Sequence, residues 1–247
     1  MNKNDLIYST IKIKAGLDDG TGFIIDLSLR PDVVALAITT NKHVVEKSDD
    51  IEFTLTIQKV DGSLFTRNFK VTNYKNKCIF HEQYDLCVIS LDSIAETMVR
   101  DGEKIVAPHI TINDVCDSRV LLDSDAITDV YVVGYPGGFI DETNNLPMAK
   151  KGVTATPLYS NFLGRKTFVV DAGVNKGNSG SPVYIRSSDG VYRLAGIVYL
   201  EKNTNVEAGF IDGGIRKEGY CVMPTGLGVA IKAEVLLELW NKIRFNW

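Results

Sequence analysis

The chain is poor in histidine and tryptophan and has no long apolar run. Its 247 residues include three histidines, His43, His81 and His109, so imidazole chemistry has three candidates. No stretch of 18 apolar residues occurs, which excludes a hydrophobic membrane-spanning helix and argues against a membrane partner. The first residues, Met-Asn-Lys-Asn-Asp-Leu-Ile-Tyr, lack the apolar centre of a signal peptide. Basic residues form no long run, and 27 of them against 31 acidic residues leave a net charge of −4, so a nucleic-acid partner has no electrostatic support. Cys78, Cys87, Cys116 and Cys221 are widely spaced and make no Cys-x-x-Cys pair. A structural zinc site is therefore not expected, and no metal or cofactor is expected either. Without an export signal the four cysteines read as reduced thiols in a cytoplasm.

What the chain does have is ordinary globular composition, 45% apolar and 23% charged, with enough length to bury a sizeable core. Most of it consists of short β-prone runs broken by Gly, Asn and Asp. Residues 51–60, 64–71 and 166–170 are examples, with Cys87 alternating among apolar residues in another. Asp-Gly pairs at 61–62 and 189–190 sit between such runs and predict hairpins. The pattern suits an all-β barrel or sandwich. Two stretches carry helical periodicity. Residues 93–100 predict a short helix ended by Asp101-Gly102. Residues 232–244 put Val235, Leu236, Leu239, Trp240 and Ile243 on one stripe, which would dock a C-terminal helix onto the last strand. The polar, irregular stretch 101–127 reads as an inter-lobe connection, with lobes of 1–110 and 111–247.

Residues 177–182 read Gly-Asn-Ser-Gly-Ser-Pro. A serine hydroxyl is a weak nucleophile unless an imidazole takes its proton and a carboxylate orients that imidazole. Gly-Asn-Ser-Gly by itself is commonly a surface loop. Here Gly177 can bring backbone N–H groups toward one point, and an extended run restarts at once with 181–185. The Gly-x-Ser-x-Gly elbow would need Gly at 181 and a following helix, and has neither. No histidine follows Ser179, so its base must come from earlier in the chain. His43 ends an apolar run at 33–38 followed by Thr39-Thr40-Asn41. His81 looks like an exposed turn residue, and His109 falls near the connection. Asp85 opens the apolar run 86–91, where a carboxylate would be costly to bury unpaired. Glu82 and Asp92 compete with it for the same role.

Six segments in order carry a resemblance: Gly20-Thr21-Gly22-Phe23-Ile24, Thr40-Asn41-Lys42-His43-Val44-Val45, Asp85-Leu86-Cys87-Val88-Ile89, Val132-Val133-Gly134-Tyr135-Pro136-Gly137-Gly138, Gly177–Pro182 and Gly226-Leu227-Gly228-Val229-Ala230-Ile231. Together they resemble trypsin-like serine proteases of the bacterial, HtrA-like type over about residues 7 to 235. The resemblance implies two six-stranded antiparallel β-barrels of the chymotrypsin kind, with the site between them. It implies His43 as general base, Asp85 as its orienter and Ser179 as nucleophile of an endopeptidase, within the His…Asp…Ser order. An oxyanion hole would form around Gly177, Asn178 and Ser179, from the N–H groups of Gly177 and Ser179. Substrate would contact Gly173 as the pocket floor, the strand Val198, Tyr199, Leu200 and Glu201, and the region of Gly226.

Two departures from digestive enzymes matter. Asn178 stands where those enzymes carry an aspartate paired with a freshly cut N-terminus, so no such activation is expected. No carboxylate stands at Gly173, so an uncharged residue before the cut is expected rather than Lys or Arg. A protease active in a cytoplasm would need gating, through the loop 171–178 or through a regulatory or sensor protein. Partner recognition would use polar, loop-like stretches at 139–147 and 201–219. The competing class is a catalytically silent protease-like binding or scaffold module. A Cys–His hydrolase built on Cys87 or Cys78 is a third reading, without a glycine-bracketed nucleophile loop.

Overall fold

The computed structural model describes the chain except residues 29–34, 107, 142, 213–214 and 245–247. Positions 33–34 of the run before His43, position 142 of the 139–147 stretch and positions 213–214 of the 201–219 stretch thus lie outside the described residues. The first half begins with a short helix, α1 (Lys3–Tyr8), whose cap Asn2 exchanges hydrogen bonds with Asp5. It continues through β1 (Thr10–Ala15), β2 (Asp18–Asp26), β3 (Leu36–Thr40), α2 (Lys42–Val45), β4 (Asp50–Gln58), β5 (Leu64–Thr72), β6 (Cys78–Phe80), β7 (Cys87–Ser90), α3 (Asp92–Arg100) and β8 (Lys104–Ile105). The second half has α4 (Ser118–Leu122), β9 (Asp129–Gly134), β10 (Met148–Thr154), β11 (Thr167–Asp171), β12 (Pro182–Arg186), β13 (Tyr192–Asp212), β14 (Ile215–Lys232) and α5 (Glu234–Arg244).

The two sheets close differently. Strands β10-β11-β14-β13-β12-β9 form a closed antiparallel barrel of six strands. The first sheet has eight strands in the order β5-β4-β1-β2-β3-β7-β6, with β8 added on β4, and stays open. The expectation of two closed six-stranded barrels therefore holds for the second half and is corrected for the first. Strand β5 supplies the reason. Its Phe65, Phe69 and Val71 face the core while the residues between them are exposed, and its one strand partner among the described residues is β4, so β5 stands as the open edge of the sheet. Strand β6 has three residues and, among the described residues, pairs only with β7.

Local signals are realised closely. The Asp61-Gly62 turn links β4 to β5 with Gly62 at φ 83°, and Gly190 turns at φ 82° between β12 and β13. Helix α3 stops where Gly102, at φ 68°, donates to the Val99 carbonyl. The stripe of α5 is buried along its whole length, from Val235 at 0% exposure to Ile243 at 3%. It docks more widely than onto the last strand. Its residues share one core with Phe23, Leu86 and Val88 of the first sheet and Tyr184, Leu194 and Ile197 of the barrel. Burying a side chain such as Leu239 contributes on the order of 2 kcal/mol, so this helix fastens the two sheets together. The chain crosses between the sheets where Ile110 bridges Ile25 and Val115 bridges Leu194. Among the described residues no helix is long and apolar enough to cross a membrane.

One stretch overturns its expectation. The described residues of the 201–219 stretch, 201–212 and 215–219, are strand rather than loop. Strands β13 and β14 run on past the barrel as a two-stranded ribbon, paired from Asn203↔Pro224 out to Asp212↔Ile215.

Candidate active site

The first sheet delivers an imidazole and a carboxylate. His43 does not end a strand. It sits in the single turn α2, just after the buried Asn41. Asn41 Nδ2 donates to the Asp85 carbonyl at 2.7 Å, which ties the loop before β7 to the end of β3. The neighbouring strands β3 and β7 pair Thr40 with Cys87, so the two loop ends are held side by side. His43 then meets Asp85 twice. Its backbone N–H donates to Oδ1 at 3.1 Å, and its ring Nδ1 lies 2.5 Å from Oδ2. A carboxylate at Nδ1 fixes the proton there and leaves Nε2 as the basic nitrogen. Burial pushes the Asp85 carboxyl up, but the ring hydrogen bond, the charge of His43 and the backbone N–H bonds together hold it below its ordinary value.

The barrel delivers a serine on a tight turn. Asn178 donates its N–H to the Asn175 carbonyl at 3.0 Å, with Gly177 between them at φ 93°. Positive φ at the third residue makes this a type II turn, which favours glycine. Space also demands glycine, since a Cβ on Gly177 would lie 2.3 Å from the Tyr135 carbonyl oxygen. The Lys176 carbonyl is held by the Gly137 N–H at 2.6 Å, which turns the N–H of the same peptide, that of Gly177, the opposite way. Among the described residues no acceptor meets the N–H groups of Gly177 and Ser179. Asn178, grouped with them from the sequence, has a different place. Its N–H is used in the turn, and its buried side chain accepts from Asn175 N and donates to Ser181 Oγ at 3.2 Å.

Thr21 joins the two halves, and sequence reasoning missed it. This buried residue of β2 donates its N–H to the Ser179 carbonyl at 2.8 Å and its hydroxyl to the Gly177 carbonyl at 2.9 Å. The same hydroxyl accepts from Tyr135 N, and Thr40 Oγ1 donates to the Thr21 carbonyl. The packing is close: a Cβ on Gly180, which has φ 85°, would lie 1.9 Å from the Thr21 carbonyl oxygen. A clue lay in the Gly20-Thr21-Gly22 triplet, because flanking glycines let another backbone approach.

His43, Asp85 and Ser179 line one cavity of about 430 Å³ with Val174, Asn175, Lys176, Val198, Tyr199, Leu200 and Glu201. Among the described residues no hydrogen bond joins Ser179 Oγ to His43. Gly173 and Gly226 do not line the cavity. They pack against each other, a Cβ on Gly226 falling 3.6 Å from Gly173 Cα, and the Gly173 carbonyl accepts from Lys150 Nζ. Val174 lines the wall in their place.

The competing residues lie elsewhere. His81 is not an exposed turn residue but is 6% exposed. Its Nδ1 accepts from the N–H groups of Gln83 and Tyr84 at 3.1 and 3.2 Å, so it caps its own turn. Burial pushes its pKa down, against the opposing pull of Glu238. His109 is likewise pushed down by burial and does not line the cavity. Glu82 pairs with Lys242, and Asp92 begins α3. Cys87 is fully buried, which drives its thiol well above the ordinary value and leaves it a poor nucleophile. Cys78 does not line the cavity. All four cysteines are free, and among the described residues no three His, Cys, Asp or Glu side chains gather as metal ligands would.

Known proteins give the following likenesses. The profile of the trypsin-like peptidase domain family matches residues 20–191. Among solved structures, the chain is similar to Rv3671c from M. tuberculosis H37Rv, a serine-to-alanine mutant in its inactive form, at 19% identity and TM-score 0.54, over 95% of this chain and 86% of that one. It is similar to an HtrA-type protease, an AlgW variant with a decapeptide, at 16% identity and TM-score 0.53, over 96% of this chain and 63% of that one. It is also similar to a scabies mite inactivated protease paralogue at 12% identity and TM-score 0.54, over 97% and 96%. Identities this low speak to the fold alone. No curated protein matches the sequence.

Proposed function

Because the chain belongs to the trypsin-like peptidase domain family, we propose that it is a serine endopeptidase whose acyl-enzyme forms on Ser179. The observation that carries this reading is the His43–Asp85 pair at 2.5 Å opening onto the same cavity as Ser179. His43 Nε2 takes the Ser179 proton as Oγ attacks the scissile carbonyl. Asp85 keeps the other ring nitrogen protonated and stabilises the imidazolium that forms. The carbonyl oxygen, gaining negative charge, is received by the N–H groups of Gly177 and Ser179. One donor of this kind is typically worth about 3 kcal/mol of barrier. His43 next gives its proton to the leaving amine. Water, deprotonated by the same nitrogen, then releases the acyl group.

The residue before the cut is an uncharged one in this proposal. Val174, Val198 and Leu200 give the cavity apolar walls, while Lys176 and Glu201 carry charge of opposite sign. A peptide library cleaved mainly after Arg or Lys would overturn that preference.

A fluorophosphonate probe tests the main reading. Labelling is expected on the intact chain and on His81→Ala, and is expected to vanish in Ser179→Ala and His43→Ala. An intact, folded chain that takes no label would assign the fold to a silent binding module instead.

A further inference from the structure

The ribbon formed by β13 and β14 beyond the barrel has no role in the chemistry above, yet it starts in the cavity wall. Strand β12 covers the outer edge of β13 only from Tyr192 to Ile197. Val198 spends its N–H and carbonyl on Ser181 and Gly180. From there outward, among the described residues, β13 pairs with β14 alone. Its outer edge therefore offers N–H and carbonyl groups from alternate residues. The strand is continuous from the cavity residues Val198–Glu201 into the ribbon, with bulges between Val198 and Leu200 and between Glu201 and Asn203. Bulges are common beside active sites, where they re-aim a strand. From Glu201 to Glu207 this edge has no proline and one lysine, Lys202, set at the second bulge, so it carries little of what usually protects an edge from pairing.

The ribbon is also short of partners. Val206, Tyr220, Val222 and Met223 are 41%, 75%, 64% and 49% exposed. An isolated two-stranded ribbon is marginal in water, and a third strand supplies what it lacks. Val206 and Met223 fall on the same side, because Thr204↔Met223 and Val206↔Cys221 are consecutive same-face pairs.

We propose that the β13 edge from Glu201 to about Glu207 is an extended docking site for the substrate segment preceding the cut. This rests on the peptidase reading. The direction follows from chemistry. The leaving amine must reach His43 on the first sheet, so the chain after the cut runs that way. The chain before the cut stays over β13 and continues outward, antiparallel to it, by strand addition. Glu201 to Val206 spans about 17 Å at the rise of a strand, so a substrate needs about eight extended residues before the cut to reach Val206. The segment recognised is unfolded, short of proline, and apolar or β-branched where it lies beside Val206.

The test compares the full chain with a trimmed form in which residues 205–222 are replaced by Asn-Gly, a two-residue turn joining Thr204 to its partner Met223. Fluorogenic peptides share one cleavage site and carry three, five, eight or ten residues before it. On the intact chain kcat/KM is expected to rise at least ~10-fold between five and eight residues, mostly through KM, the gain expected of several added main-chain hydrogen bonds. On the trimmed chain the series is flat and the three-residue peptide is cleaved as well as by the intact chain. Fluorescence anisotropy of the same peptides on Ser179→Ala should show the same step in affinity. That readout needs no turnover, so it separates the docking site from the peptidase reading, which probe labelling decides. A flat series on the intact chain overturns the proposal, as does a step that survives trimming. It also falls if trimming converts a dimer to a monomer and leaves the series unchanged, which would give the ribbon to a second copy. Should the trimmed chain not fold, Val206→Asp is expected to remove the step at eight residues, and an unchanged step there has the same adverse meaning.

Discussion

The His43–Asp85 half of the site and the Ser179 half are built on different principles. In the first sheet two side chains meet directly, at 2.5 Å, because strands β3 and β7 are neighbours and Asn41 holds their loops together. In the barrel the useful atoms are mostly backbone. They are aimed by a type II turn and by bonds that cross to the other sheet through Thr21. The first half is complete within one sheet. The second half is held by bonds within the barrel and, in addition, by Thr21 of the other sheet. The physical lesson is that side-chain pairs tolerate a self-contained scaffold, whereas a cluster of N–H groups must be held from outside the loop that carries it.

That contrast can be broken at several points. Ser179→Ala should give the largest effect, a loss of kcat on the order of 10⁶-fold in single-turnover assays, with stability unchanged. Asp85→Asn should lower kcat by about 10⁴-fold, because an amide no longer enforces the tautomer with Nε2 free. Ser179 should then keep its geometry and its affinity for a non-covalently bound peptide.

Thr21→Val probes the other half. It leaves the Gly177 carbonyl and the Tyr135 N–H without their buried partner, at a stability cost of about 1–3 kcal/mol for each group. It should reduce kcat by ~10- to 100-fold, the loss of part of one oxyanion donor, with KM little moved. Thr21→Ser should restore most of the rate; a valine form as active as wild type would deny the crossing bonds a positioning role. His81→Ala sharpens the comparison from the opposite side. Its turn should lose about 1–3 kcal/mol in denaturant titrations while turnover stays unchanged.

The smallest expected effect is in acid. The Asp85 carboxyl is held below its ordinary value in the folded chain, so it contributes stability above the unfolded-state pKa. That contribution is lost as pH falls from about 4 through the folded value. The stability gap between wild type and Asp85→Asn, read by urea unfolding, should therefore narrow below about pH 4; a gap that widens there would contradict the pairing.

Much of the site was legible because it depends on short-range chemistry. Three histidines left few bases, and glycines on both sides of Asn178-Ser179 pointed to a constrained turn. The α5 stripe and the Asp61-Gly62 turn were readable for the same local reason. Thr21 was not, since a threonine in a strand is an ordinary β-former until its neighbours across the molecule are known. His81 looked exposed beside Glu82 and Gln83, yet its burial comes from packing with α5 and the turn it caps. The 201–219 stretch read as a loop because it is polar and contains asparagine and glycine, and nothing local in it announces that β13 pairs with β14.

The order of chemical groups along the chain, the turns, the helices α3 and α5 and the presence of an imidazole, a carboxylate and an alcohol were determined by the sequence alone, since each is set within a few residues. Tertiary structure alone decided that one sheet closes and the other does not, that Thr21 braces the Ser179 turn, and that a strand leaves the cavity as an open edge. These depend on which distant backbones pair, and hydrogen-bonding groups identical at every residue carry no label that names their partner.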